Sequence, residues 1–149
     1  MRAIFGLGLA AAALALTAGC SKKESNVSVP PDGTYIIVGA EQNGKAAPPE
    51  TFDAKSEADR TIRIAGDKML PKEGSDDPLT VKWDSSKNPG QITATATKPG
   101  GKTETMYGIY KFEGDTLTIC MTEGKEEDRP KEFKTAPGSK TMMMTLKKK

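Results

Sequence analysis

From Thr34 to Leu146 the sequence is a succession of short β-type runs, several with apolar residues at every second position, broken by turn residues. Gln91 to Thr97 is the clearest: Ile92, Ala94 and Ala96 fall on one side, and Thr93, Thr95 and Thr97 on the other. Thr61 to Ile64 alternates in the same way, and Leu79, Val81 and Trp83 share a face. Successive side chains of a strand point to opposite faces, so this pattern predicts half-buried β-strands. Further runs lie at Thr34–Val38, Met69–Leu70, Thr105–Phe112, Thr116–Met121, Lys131–Lys134 and Thr141–Leu146, giving eight or nine candidate strands. Turn chemistry separates them at Asn43-Gly44, Gly66-Asp67-Lys68, Pro99-Gly100-Gly101-Lys102 and Glu113-Gly114-Asp115, the last a hairpin signal. Gly39 to Thr51 reads as a polar loop in which Pro48-Pro49 forbids regular structure, and Asp53–Asp59 as one helical turn. Gly124 to Arg129 reads as charged and exposed, and no amphipathic helix is evident in this region.

Short strands with one apolar face must close on one another to hide their edges. Short turns between neighbours predict an all-β fold, an antiparallel up-and-down β-barrel of about eight strands, over a Greek-key sandwich. At about 115 residues its core is adequate but small. Such a barrel is either filled by its own side chains or holds one small ligand. Tyr35, Trp83 and Tyr110 are the candidate orienting groups for a small apolar ligand; Tyr107 must lie on the opposite face from Tyr110 and Phe112. Arg129 is a candidate to close a barrel end by pairing with a carboxylate such as Glu41.

The N-terminus is of another kind. After Arg2, residues 3–19 carry no charge, end in small residues and meet Cys20. A short basic region, an apolar stretch and a small-residue cleavage site describe an export signal. Leu16-Thr17-Ala18-Gly19-Cys20 resembles a bacterial lipobox, with Thr17 where an aliphatic residue is more usual. The resemblance implies cleavage before Cys20 and diacylglycerol on its thiol, a membrane anchor. An uncleaved apolar helix and ordinary cleavage to a free protein are the competing outcomes. The abrupt change to Ser21-Lys22-Lys23-Glu24-Ser25-Asn26 favours the anchor, since a tethered domain needs a polar, flexible lead. The expected organisation is a signal peptide over 1–19, a tether over 20–31 and the barrel over 32–149. Ser21 after the cysteine, by the same resemblance, implies the outer membrane facing the periplasm.

Gly33-Thr34-Tyr35 and Glu41-Gln42-Asn43-Gly44-Lys45 are followed by Gly108-Ile109-Tyr110, Gly114-Asp115-Thr116-Leu117-Thr118-Ile119-Cys120 and Arg129-Pro130-Lys131-Glu132-Phe133. In this order they resemble an uncharacterised domain abundant in planctomycete bacteria, over Gly33 to about Leu146. That family is similar in pattern to lipocalin-like barrels. Gly33-Thr34-Tyr35 is similar to the Gly-x-Trp that opens the first lipocalin strand, with Tyr35 in place of tryptophan. The resemblance implies a lipocalin-like fold and carries no activity.

Composition narrows the chemistry. Histidine is absent, which removes Ser-His-Asp and Cys-His catalysis and histidine metal sites. Cleavage at Cys20 removes Arg2 from the 22 basic residues against 20 acidic ones, leaving a net charge of +1. That balance gives no footprint for nucleic acid and no electrostatic hold on a membrane. With Cys20 acylated, Cys120 has no disulfide partner; between Ile119 and Met121 it reads as a buried strand residue. Met142, Met143 and Met144 suit a soft metal, but only Met142 and Met144 share a strand face, and packing explains them. Asp76-Asp77 and Glu123, Glu126, Glu127 and Asp128 form neither a calcium loop nor a catalytic doublet. No phosphate loop or nucleophile elbow occurs. The expectation is a non-enzymatic envelope lipoprotein without metal or cofactor. Its partners are the membrane, through lipid on Cys20, and either a small apolar ligand or an envelope protein.

Overall fold

The computed structural model describes residues 27–72 and 76–149; the expected signal 1–19, the lipid-attachment residue Cys20 and residues 21–26 of the expected tether lie outside the described residues. The strands are β1 (Gly33–Gln42), β2 (Lys45–Ala46), β3 (Thr61–Ala65), β4 (Lys68–Leu70), β5 (Leu79–Asp84), β6 (Gly90–Thr97), β7 (Thr103–Glu113), β8 (Thr116–Glu123) and β9 (Thr141–Lys148). Two four-residue helices, α1 (Glu50–Asp53) and α2 (Glu57–Arg60), sit between β2 and β3. From β3 to β9 each strand pairs antiparallel with the next, β3 also pairs with β1, and β9 returns to β1. Eight strands therefore close into an up-and-down barrel, with β2 a short hairpin extension of β1. Asn43 (φ 55°) and Gly44 (φ 71°) supply the two left-handed residues that this tight hairpin requires.

Alternation places the core. Gly90, Tyr110, Ile119 and Met144 follow one another across β6, β7, β8 and β9 as a single inward rank. Phe112, Leu117, Leu146 and Ile37 form another, running on to β1. Tyr35, Ile92, Ala94, Tyr110, Leu117 and Leu146 have no solvent exposure at all. Closeness of fit shows at two glycines. A Cβ on Gly90 would stand 2.6 Å from the Tyr110 ring, and one on Gly108 would stand 2.5 Å from the carbonyl oxygen of Cys120. Met142 and Met144 share the inner side of β9 and Met143 faces out, opposite Cys120 and Glu41.

Four local expectations are corrected. Gly39 to Thr51 is not all loop: β1 continues to Gln42 and turns into β2 at Lys45–Ala46. Pro49 does not forbid regular structure: at φ −51° and ψ −40° it caps α1, because its ring fixes the φ that a helix start needs. The expected single turn over 53–59 is instead two turns, the second begun by Ser56, whose hydroxyl accepts from the Asp59 amide. Lys131–Lys134 is not a strand. With β9 paired to both β8 and β1, the barrel offers no free edge for it to join.

Candidate functional site

The antiparallel topology puts the start of β1, the end of β9 and the turns at 66–67, 85–89 and 114–115 at one mouth of the barrel. Residues 27–32 cross this mouth, although the sequence reads 27–31 as tether. Pro30 is buried, and Val27 packs against the core beside Gly90 and the Tyr110 ring. Pro31 accepts a 2.7 Å hydrogen bond from the Tyr35 hydroxyl, and Asp32 accepts one of 2.7 Å from the Gly66 amide. The segment is a plug held at both ends.

Beneath the plug lie the three aromatics expected to face a ligand. Trp83 meets Tyr110 edge-on, with centroids 4.9 Å apart and rings at 80°. Tyr35 meets Phe112 in the same manner at 6.5 Å. Such edge-to-face contacts are what packed aromatic cores favour. Tyr35 and Tyr110 are completely buried and Trp83 is partly so, and all three fill space between strands. Burial, then the nearby charge of Asp32 or Asp84, raises the tyrosine pKa values of Tyr35 and Tyr110 respectively, so both phenols stay neutral at ordinary pH. Tyr110 Oη and Trp83 Nε1 are buried with no hydrogen-bond partner among the described residues.

The second feature lies on the outer wall. The connection from β8 to β9, residues 124–140, is a strap across the outward side of β6–β9 and β1. Arg129 is its principal fastening, and it does not pair with Glu41. Its Nη1 donates to the carbonyls of Ile92 (2.8 Å) and Gly108 (2.7 Å), its Nη2 to Thr93 Oγ1 and Glu126, and its cation stands 5.4 Å from the Tyr107 ring centroid. Only 10% of its side chain is exposed, against the expectation of a solvated loop. Glu41 instead receives the Thr135 hydroxyl at 2.6 Å, and that hydroxyl accepts from the Gly44 amide. Cys120 lies under the strap, its thiol directed at the Lys134 carbonyl 3.7 Å away. It is the buried strand residue anticipated, yet it faces outward, away from the barrel interior. Burial is the main reason its pKa is raised, with Glu41 adding to the rise, so the thiol is neutral and a poor nucleophile.

Beside the strap is an open groove of about 520 Å³ lined by Lys87, Gln91, Ile109, Glu127, Arg129 and Lys131. Among the described residues no three Cys, Asp or Glu side chains cluster as metal ligands, and no helix is long and apolar enough to cross a membrane. Comparison of the chain with family models, with curated proteins and with solved structures returned no match.

Sequence reasoning found Tyr35, Trp83, Tyr110, Cys120 and Arg129 as notable, and missed the plug and the Thr135–Glu41 link. One signal was available for the strap. Ile119-Cys120-Met121 is apolar at three consecutive positions, a break in alternation that requires both faces of β8 to be covered.

Proposed function

We propose that this chain is an exported, lipid-anchored protein of the bacterial envelope, held by acylated Cys20, whose barrel serves as a structural or protein-interaction module. The observation that carries the second half is the filled interior: the residues a ligand would have to touch are already in contact with one another and with the plug. A barrel of this strand number has room for side chains or for one small ligand, and close packing of both tyrosines favours the former. Among the described residues the buried Cys120 thiol is held neutral and no three Cys, Asp or Glu side chains gather, which supports a non-enzymatic role. The lipobox-like sequence, followed at once by a polar stretch, supports the anchor, and Ser21 supports outer-membrane placement. The ordered short motifs from Gly33 onward support kinship with the planctomycete domain.

Two experiments test the two halves. Cys20→Ser is expected to leave unprocessed precursor, and unchanged processing with membrane retention sinks the anchor. Native mass spectrometry of the chain from Ser21 onward, after exposure to envelope extract, is expected to give the bare protein mass. A reproducible added mass that disappears in Trp83→Ala restores the small-ligand reading.

A further inference from the structure

We infer that the plugged mouth of the barrel is the face that rests on the membrane, with Val29 and the rim beside Phe112 and Phe133 turned into the interfacial layer of the bilayer. This rests on the reading of Cys20 as a lipid anchor and adds to it the face presented and the partner: the apolar interfacial zone of a lipid surface.

Chain length sets the first constraint. Seven peptide steps separate Cys20 from Val27, a reach of at most about 25 Å when fully extended. The 11 residues of β7, at ~3.3 Å each and a tilt of ~40°, give the barrel a height of roughly 28 Å. Were the opposite mouth to face the membrane, the tether would have to lie along the whole wall, and it would still fall short. Val27 sits in the plug, so the plugged mouth is the one the anchor holds close.

Surface chemistry supplies the second. Val29 and Val38 are the exposed large hydrophobic residues among those described, at 47% and 49%. Val38 has a local cause, the register shift in β1 between Ile37 and Gly39. Val29 has none of that kind: it stands outward from the plug between the packed Val27 and Pro30. Next to it on the rim is a groove of about 220 Å³ lined by Val27, Pro89, Lys111, Phe112 and Phe133. Three of the lysines there are engaged with carboxylates. Lys111 pairs with Glu113 and lies over the Phe133 ring, Lys147 pairs with Asp115, and Lys149 with Glu57. With Asp32, Asp67 and Asp84 also at this mouth, it offers apolar contact without a one-signed basic surface, suited to the acyl–headgroup boundary and not to anionic headgroups.

The test supplies the anchor chemically. The chain from Cys20 onward, which holds the whole barrel and its plug, is coupled through Cys20 to a maleimide phospholipid in phosphatidylcholine vesicles. A Cys120→Ala version checks that coupling is confined to Cys20. Tryptophan is placed by Val29→Trp or Val38→Trp, and quenching by lipids brominated high in their acyl chains is measured after subtracting the signal of Trp83. The expected result is quenching at least about twofold stronger for Val29→Trp than for Val38→Trp, unchanged by added phosphatidylglycerol. Ser28→Trp, at an exposed neighbour, is expected to match Val29→Trp and guards against a disturbed plug. Equal quenching, stronger quenching from Val38→Trp, or dependence on anionic lipid overturns the assignment of the face. Normal processing of Cys20→Ser in cells overturns the anchor instead, so the two failures are distinct.

Discussion

The barrel interior and the patch beneath the strap are both buried, and they are held by different chemistry. Inside, Ile92, Tyr110, Leu117, Ile119 and Leu146 touch through apolar surface, arranged by a period of two that each strand carries by itself. Outside, Ile109, Cys120 and Thr122 are covered only because a 17-residue connection is fastened over them at Arg129 and Thr135. The first arrangement is apolar contact distributed over many residues. The second depends on a few hydrogen bonds whose partners lie up to 94 residues apart. Global stability therefore belongs to the interior, and local opening to the strap.

The largest effect separates the two at once. Leu117→Ala removes a fully buried side chain from the inward rank, and a loss of about 3 kcal/mol is expected in chemical denaturation. Because the damage is to the shared core, the cooperative transition shifts as a whole. A change confined to local labelling with an unmoved midpoint would show that the interior is not the common foundation.

Arg129→Ala comes next, at about 2 kcal/mol, since truncation removes two charge-assisted hydrogen bonds from a nearly buried guanidinium to the carbonyls of Ile92 and Gly108. The sharper readout is Cys120. With the fastening gone, its modification by a thiol reagent under native conditions is expected to rise at least about tenfold, in keeping with local opening at low free energy. If Leu117→Ala accelerates labelling as much at equal residual stability, the strap does not open by itself.

The contrast also sets what the sequence could show. Interior positions were legible because alternation is local: Ile92, Ala94, Val81 and Trp83 announce their face within five residues, and closure follows from having edges to hide. The strap was not legible, because Arg129, Glu126 and Glu127 look alike in a charged run, and only the fold brings Arg129 to the carbonyls of Ile92 and Gly108. Glu41 was considered as the partner of Arg129, and the structure gives it Thr135, a residue with no pattern to mark it. Tyr35, Trp83 and Tyr110 were read as candidate orienting groups for a ligand, and alternation alone could not say whether they line a hollow or fill one. The plug was not legible either, because Val27 and Pro30 sit in a stretch too short and too interrupted by proline to carry a period.

The raised pKa of Cys120 makes the comparison depend on pH. The folded state keeps the thiol protonated where the unfolded chain, with an ordinary pKa of about 8.5, begins to lose the proton. Its contribution is thus complete below about pH 8.5, and stability falls as pH rises from there toward the folded value, by up to ~1.4 kcal/mol per pH unit. Cys120→Ala is expected to move the onset to about pH 10, the ordinary phenol value, where raised Tyr35 and Tyr110 act in the same direction. Identical pH profiles for the parent and Cys120→Ala chains from Ser21 onward would show the thiol is not buried by the strap in solution.

Tyr110→Phe tests the interior alone. Its hydroxyl has no partner among the described residues, so removing it is expected to stabilise the barrel by about 1 kcal/mol by lifting a desolvation penalty. A loss of similar size would mean that the hydroxyl is engaged, and would reopen the interior to a bound molecule.

Thr135→Val is expected to cost about 1 kcal/mol, because Glu41 loses its 2.6 Å donor and the Gly44 amide loses its acceptor, while the nearly isosteric side chain preserves packing. Its value lies in combination with Arg129→Ala. If the strap opens as one unit, releasing Arg129 already forfeits the ordering that Thr135 supports, and the second substitution adds less than about 0.5 kcal/mol. If the two fastenings act independently, the losses add in full and Cys120 labelling rises in two separate steps. Additivity would divide the strap into an Arg129 half over β6 and β7 and a Thr135 half over β1, with Cys120 guarded by the second.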